Sequence, residues 1–338
     1  QNEVAEYIVN KFDFMKSPLV IDIGSNDGTL LKSFKKMNFN VFGVDPAETV
    51  AKVAIQSGIE THIGLFTEKS IDSFPEKYKQ ADLITAFNVF AHSDEMQGMI
   101  DGVNKLLKND GIFCFEVQYL KSILDKKLLG TIFHEHMIHY SVSSAKEFLN
   151  ANKLHLFDLV ENNIQKGSII FFASKEENMV PVSESVTSLL EVEKNQGYTD
   201  GSKFREFNDF ILKQKLEIKN LISKYKENQF TVAGYGAARS GPTLCIQYDL
   251  INTIEFLIDD HPSKVGKYSA FEGLFVKSSS ELKTNNIDIV IILAWIHSRD
   301  IIKNHQDYIL NGGKFLILWP HVLEVDINNF EDFLKNKF

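Results

Sequence analysis

Short apolar runs of four to seven residues alternate with amphipathic stretches through the first half of the chain. This is the pattern of parallel strands, buried on both faces, with helices between them. It predicts strands over 19–23, 41–44, 83–87 and 112–116, and helices over 29–36, 46–57 and 94–107. A further helix is expected to start near Ser143, where Ser144-x-x-Glu147 has the form of a capping box, and the apolar run 168–174 adds a late strand. After Pro181 the pattern turns helical and charged. Apolar residues recur at Phe207, Phe210, Ile211, Leu216, Ile218 and Leu221, which reads as a connecting helix or helix pair. A second strand–helix series follows, with strands over 230–234, 253–258, 287–293 and 314–318. The expected architecture is α/β throughout: a domain over 1–180, a helical connector over 181–226 and a second α/β domain over 227–338.

Composition narrows the function classes. A chain of 338 residues exceeds one ordinary core, and 44% hydrophobic with 24% charged residues is a normal globular balance. The net charge of -9 argues against nucleic acid as a partner, because phosphate-backbone binding needs clustered Lys and Arg. No apolar run is long enough for a bilayer and no signal-peptide pattern opens the chain, so a soluble cytoplasmic protein with no membrane partner is expected. Cys114 and Cys245 each lie in an apolar stretch and read as buried thiols of a reducing compartment. Two cysteines are too few for a structural zinc site. The chain opens on Gln1 rather than Met, as a fragment or a processed chain would.

The strongest chemical signal is Asp22-Ile-Gly24-Ser-Asn26-Asp27-Gly28, a Gly-containing turn between a strand and a helix. Such a turn lets a ligand approach the backbone closely. A dinucleotide fingerprint would need glycine where Asn26 and Thr29 stand, and Asp27 would repel a pyrophosphate at the helix start. S-adenosylmethionine carries a sulfonium and an ammonium and no phosphate, so the electrostatics favour it. Asp45 closes the second strand, where a carboxylate can accept both ribose hydroxyls, and Pro46 and Phe66 are assigned to the same cofactor set. Asn88 and His92 follow a later strand, at the sheet edge where ligands bind; the bland alternative is a helix cap and a surface histidine. For the loop itself the bland alternative is a tight turn with no ligand.

Phe133-His134-Glu135-His136 offers a base. In an extended segment His134 and His136 share a face, and one of them can remove a proton while a carboxylate orients it. A rival is zinc held by His134, His136 and His139; with no acidic cluster in support, no metal is expected. In the second domain, Gly234-Tyr235-Gly-Ala-Ala-Arg239-Ser-Gly241 follows a strand, and its backbone donors with Arg239 suit a diphosphate. Asp259 and Asp260 end the next strand, where a ribose would lie, and Lys264 and Lys267 add positive charge. The alternative is a degenerate domain that only packs. Trp295 reads as a stacking residue or as core.

Taken together these residues resemble a known family. Residues 20–31, Gly43-Val-Asp-Pro-Ala47, Asn88-Val-Phe-Ala-His92, Phe115-Glu-Val-Gln-Tyr119, His134-Glu-His136 and Lys166-Gly-Ser168 occur in the order seen in the sugar C-methyltransferases. So do Ala233–Arg239, Leu257-Ile-Asp-Asp260, Lys264-Val-Gly-Lys267 and Leu293-Ala-Trp295. The resemblance implies a Rossmann-like class I methyltransferase domain using S-adenosylmethionine, with a second Rossmann-like C-terminal domain that helps hold a nucleotide. It implies methylation of the ring carbon beside the ketone, usually C3, of a nucleotide-linked 4-keto sugar. His136 takes the place of the family's base, with Glu135 and His134 beside it in the active site. Substrate contacts are implied at Tyr119, Phe133, Lys166, Tyr235, Arg239, Asp260, Lys267 and Trp295. Two departures stand out: the family's N-terminal zinc-binding cysteine module and Tyr-rich segment are not in this chain, and Phe133 stands where the family has Tyr. O- or N-methylation of a small metabolite, and noncatalytic nucleotide-sugar binding, are the competing functions.

Overall fold

A computed structural model of the chain describes residues 2–270, 272–284 and 286–335. The chain divides into two compact units, Gln1–Ser122 with Glu135–Gly201, and Ile123–His134 with Ser202–Phe338. The second unit therefore includes a short segment from the middle of the first.

The first unit is built on strands β1 (Leu19–Ile23), β2 (Asn40–Asp45), β3 (Thr61–Ile63), β4 (Ala81–Phe87), β5 (Leu107–Gln118), β6 (Leu154–Asn162) and β7 (Ser168–Lys175). Their order is β3-β2-β1-β4-β5-β7-β6. β1 to β5 run parallel, whereas β7 pairs antiparallel with both β5 and β6. All five residues of β1 are buried, as expected for a central strand covered on both faces. Ile21, Phe42, Ile84, Phe113 and Phe115 fill one side of the sheet, and Val20, Leu83, Cys114, Ile170 and Phe172 the other. The helices are α1 (Asn2–Lys11), α2 (Thr29–Lys36), α3 (Glu48–Gln56), α4 (Met96–Leu106), α5 (Leu120–Asp125), whose last three residues belong to the second unit, α6 (Val142–Ala151) and α7 (Glu184–Asn195).

The pattern of the sequence finds the central strands and α2 closely. It misses β3, which has no apolar run, and β6, whose alternation is broken by an irregular register between Leu156 and Asp158. α6 starts at Val142, close to the expected position, but is capped differently. Its capping box joins Ser141 to Ser144 and leaves Glu147 out, because the Ser141 side chain accepts the Ser144 N–H. A second cap comes from α7. The carboxylate of fully buried Glu193 accepts the N–H groups of Val142 and Ser143 at 2.6 and 2.9 Å, and the Tyr119 hydroxyl at 2.9 Å.

The second unit carries β8 (Val232–Tyr235), β9 (Phe256–Ile258), β10 (Val276–Lys277), β11 (Ile289–Ile292), β12 (Lys314–Ile317) and β13 (Leu323–Val325). The order is β10-β9-β8-β11-β12-β13, parallel except for β13. Both sheets thus share the Rossmann-like arrangement in which the third, second, first, fourth and fifth strands lie side by side. Helix α8 (Ser202–Glu227) buries Phe207, Ile211, Gln214, Ile218, Ile222 and Tyr225 at helical spacing, so residues 181–226 hold a helix pair, α7 in the first unit and α8 in the second. Helices α9 (Gly241–Gln247), α10 (Ser298–Asn304), α11 (Gln306–Leu310) and α12 (Phe330–Lys335) complete the unit. The segment 123–134 is tied in by Thr243 Oγ1 donating to the Ile132 carbonyl (2.7 Å) and Trp319 Nε1 donating to the Lys126 carbonyl (2.8 Å). Gly130 lies under the Trp295 indole, where any Cβ would collide with it. Among the described residues no helix is long and apolar enough to cross a membrane.

Candidate functional site

The turn after β1 is shaped by its glycines. Gly24 has φ 70° and Gly28 has φ 75°, and a Cβ on Gly24 would run into Val89 beyond β4. The Gly24 N–H donates to the Val44 carbonyl at 2.8 Å, which fixes the turn against β2. Asp45, 6% exposed, accepts the Asn26 N–H on one oxygen and the Ala47 N–H on the other, both at 2.8 Å. Each oxygen keeps a lone pair for a ligand hydroxyl. Asp27 accepts both the N–H and the hydroxyl of Thr29 at the start of α2, and the Thr29 hydroxyl leads in holding its carboxyl below the usual range. The position that a pyrophosphate would need already holds an anion.

Two cavities flank this turn and share Gly24. One, about 210 Å³, is mostly apolar, walled by Val44, Leu65, Phe66, Val89 and Met99 with Pro46 and His92 at its edge. The other, about 340 Å³, is lined by Asp22, Asn26, Asp27 and Phe87 among others. Burial pushes the Asp22 carboxyl up to about 7, against the hydrogen bond from Thr85 and with the Asp45 charge adding to the rise. An apolar slot, the Asp45 carboxylate with a lone pair left on each oxygen and a pocket lined by Asp22 and Asp27 suit S-adenosylmethionine, whose charged groups are cationic.

His92 joins this site to the candidate base. Its Nδ1 lies 2.8 Å from the Glu135 carbonyl, which can only accept, so Nδ1 carries the proton and donates. The Met137 N–H donates to the Ala91 carbonyl at 2.8 Å, and the His92 and His136 rings lie 4.9 Å apart. His139 stands 5.7 Å beyond His136; burial pushes its pKa down to about 4, helped by His136, and its Nε2 is buried without a hydrogen-bond partner.

Not every expected residue joins the site. The chain turns at 134–135 and is not extended there, so His134 and His136 do not share a face. His136 lies beside His92, whereas His134 lines a cavity of the second unit. Among the described residues no three His, Cys, Asp or Glu side chains are gathered as a metal site would need. Tyr119 is fully buried with its hydroxyl on Glu193, so it is framework and not a substrate contact. Lys166 sits half-buried on a left-handed turn before β7, and Phe133 lies half-buried beside His134.

The second unit repeats the turn of the first. Gly236, φ 103°, donates to the Ile258 carbonyl at 2.7 Å, and a Cβ there would meet Ala294 beyond β11. Asp259 accepts the Ala237 and His261 N–H groups, both at 2.9 Å, as Asp45 accepts those of Asn26 and Ala47. Asp259, and not Asp260, is thus the counterpart of Asp45. It differs in also binding Lys264 at 3.0 Å; burial opposes its charge, but these donors prevail and its pKa falls. Asp260 instead accepts the Tyr235 hydroxyl, which also meets His305 Nε2 at 2.8 Å, so Tyr235 and Asp260 hold each other. Trp295 is 3% exposed and packs on Gly130 and Trp319, so it is core and does not stack on a ligand. Arg239, Lys264, Lys267 and His134 line a cavity of about 340 Å³ with apolar walls from Leu257, Val276 and Leu293.

Residues 21–113 match the family model of a methyltransferase domain, and residues 163–320 match that of a C-methyltransferase C-terminal domain. The C-methyltransferase NovU of Streptomyces niveus is 30% identical over 319 residues, which span 94% of this chain and 76% of that protein. The ubiquinone biosynthesis O-methyltransferase of Proteus mirabilis (strain HI4320) is 22% identical over 167 residues, 48% of this chain and 68% of that one. Magnesium protoporphyrin IX methyltransferase from Synechocystis PCC 6803, solved with bound SAH, overlays with a TM-score of 0.40 and 16% identity on 52% of this chain and 81% of that one.

Proposed function

Because this chain belongs to the C-methyltransferase family, we propose that it methylates the carbon beside the ketone, C3, of a nucleotide-linked 4-keto sugar with His136 as general base. The protein is an S-adenosylmethionine-dependent methyltransferase with a Rossmann-like class I methyltransferase fold in its first unit. The observation that supports the finer reading is the His92–His136 contact, since His92 lines the cavity proposed for the cofactor and His136 lies 4.9 Å from it.

S-adenosylmethionine, when bound, supplies an electrophilic methyl group. Asp45 would receive the ribose, the Phe66 and Val44 walls the adenine, and Asp22 and Asp27 the cationic end. A C–H beside a ketone is acidic enough for a positioned imidazole to remove its proton. His136 would take that proton while the electron pair moves toward the carbonyl oxygen; the carbon would then bond to the methyl group as the methyl–sulfur bond breaks, its electron pair staying on sulfur and S-adenosylhomocysteine leaving as the neutral thioether. His139 stays uncharged at neutral pH, so it adds no repulsion to the protonated His136. The second unit's cavity, with Arg239, Lys264 and Lys267, is assigned to the nucleotide diphosphate. Phe133 offers no phenol for the developing enolate, which leaves that task to other donors.

Labelled S-adenosylmethionine with a panel of 4-keto nucleotide sugars tests this reading. Label on a ring carbon is expected. Label on oxygen or nitrogen would replace it with O- or N-methylation, and binding without turnover would leave a nucleotide-sugar binder.

A further inference from the structure

Glu116, near the carboxyl end of β5, is 3% exposed and has no part in the steps above. Amide donors flank its carboxylate: Asn162 Nδ2 lies 2.7 Å from Oε1, and Asn88 Nδ2 lies 3.4 Å from Oε2. The Glu116 carbonyl also accepts the Asn88 N–H at 2.9 Å. Asn88 is the first residue after β4, in the left-handed region at φ 58°, next to the Val89 that packs on Gly24. Its Oδ1 faces Gln165 Nε2 at 3.4 Å. Both ends of the Asn88 carboxamide are therefore committed, which sets its orientation and leaves one N–H and one lone pair for a ligand.

We propose that Glu116 is a positioning residue for methyl transfer, which acts by holding Asn88 and the turn that runs from it to His92 against the cofactor. The inference rests on the reading that this turn meets the cofactor. The chemistry requires a carboxylate. Two amide donors point at its two oxygens, and a glutamine in its place has only one acceptor oxygen, so one donor would be stranded and Asn88 would be free to turn. A carboxylate that merely bridged β5 to the β6–β7 hairpin would need Asn162 alone. The contact to Asn88 gives Glu116 its reach into the site.

The test measures S-adenosylmethionine affinity by calorimetry, a readout independent of the acceptor's identity, with thermal melting as a check on folding. Glu116→Gln is expected to weaken binding about tenfold, as loss of a buried charge-assisted hydrogen bond does. Asn88→Ala should weaken it similarly, and the double variant no further. The exchange Glu116→Gln with Asn162→Asp restores one acceptor for each donor and should recover near wild-type affinity. Undiminished affinity in Glu116→Gln beside a loss in Asn88→Ala overturns the inference alone, as do additive losses or failed recovery. Undiminished affinity in Asn88→Ala overturns the reading of the turn, and the inference with it.

Discussion

Asp22 lies 4% exposed at the inner end of the cofactor turn, where burial raises its carboxyl from the ordinary 3.8 to about 7. The folded state therefore binds this proton more tightly than the unfolded chain. Its contribution to stability is full below about pH 4 and is lost as pH rises through about 7. Asp22→Asn keeps an acceptor for Thr85 and removes the titration. We expect it to raise the melting temperature relative to wild type near pH 8 and to leave it little changed near pH 4; equal shifts at both would contradict the assignment. His136→Ala should abolish methyl transfer and leave S-adenosylmethionine affinity near wild type, and unchanged turnover would remove it from the base role. At this scale the sequence is most informative where chemistry is local. Asp22 and the turn glycines stand within one strand–turn–helix pattern and Asp45 closes the strand that follows it, so all are readable from a short stretch of sequence. Tyr119 is not, because the Glu193 that engages its hydroxyl is 74 positions away. Glu116 was visible as part of a motif, but its role depends on Asn162 and Asn88 meeting across the sheet.

Helix α6 illustrates how elements hold each other. Its N-terminal N–H groups are met by Ser141 and Ser144 from its own sequence and by Glu193 from α7. Glu193→Ala leaves those donors and the Tyr119 hydroxyl buried without their partner. The expected loss is roughly 3 kcal/mol or more, read from urea midpoints, with Glu193→Gln losing less because one acceptor remains. A loss below about 0.5 kcal/mol would mean that the serine cap suffices. The central strands and α2 were legible because full burial writes itself as an apolar run. β10 and β13, two and three residues long, carry too little pattern to read. The second copy of the turn was legible in its glycines, whereas the choice of Asp259 over Asp260 was not. Adjacent residues of a strand point to opposite faces, and only the register shows which one returns to the loop.

Over the whole molecule the division into units does not follow the order of the chain. Residues 123–134 belong with 202–338 and supply the Gly130 floor beneath Trp295, the Ile132 carbonyl for Thr243 and the His134 wall of the basic cavity. A fragment over 202–338 should therefore melt at a lower temperature and less cooperatively than the same fragment with 123–134 linked to it. Identical melting curves would show that the segment contributes nothing. Sequence periodicity had no means to reveal this, since a dozen residues that hold only the last three of α5 and one 3-10 turn carry no signature of their destination. The same segment has a consequence for recombination between relatives. A chimera joined near position 201 would pair one parent's basic cavity with the other parent's His134 and Gly130, so a swap of the C-terminal half would carry the whole lining of that cavity only if 123–134 travelled with it.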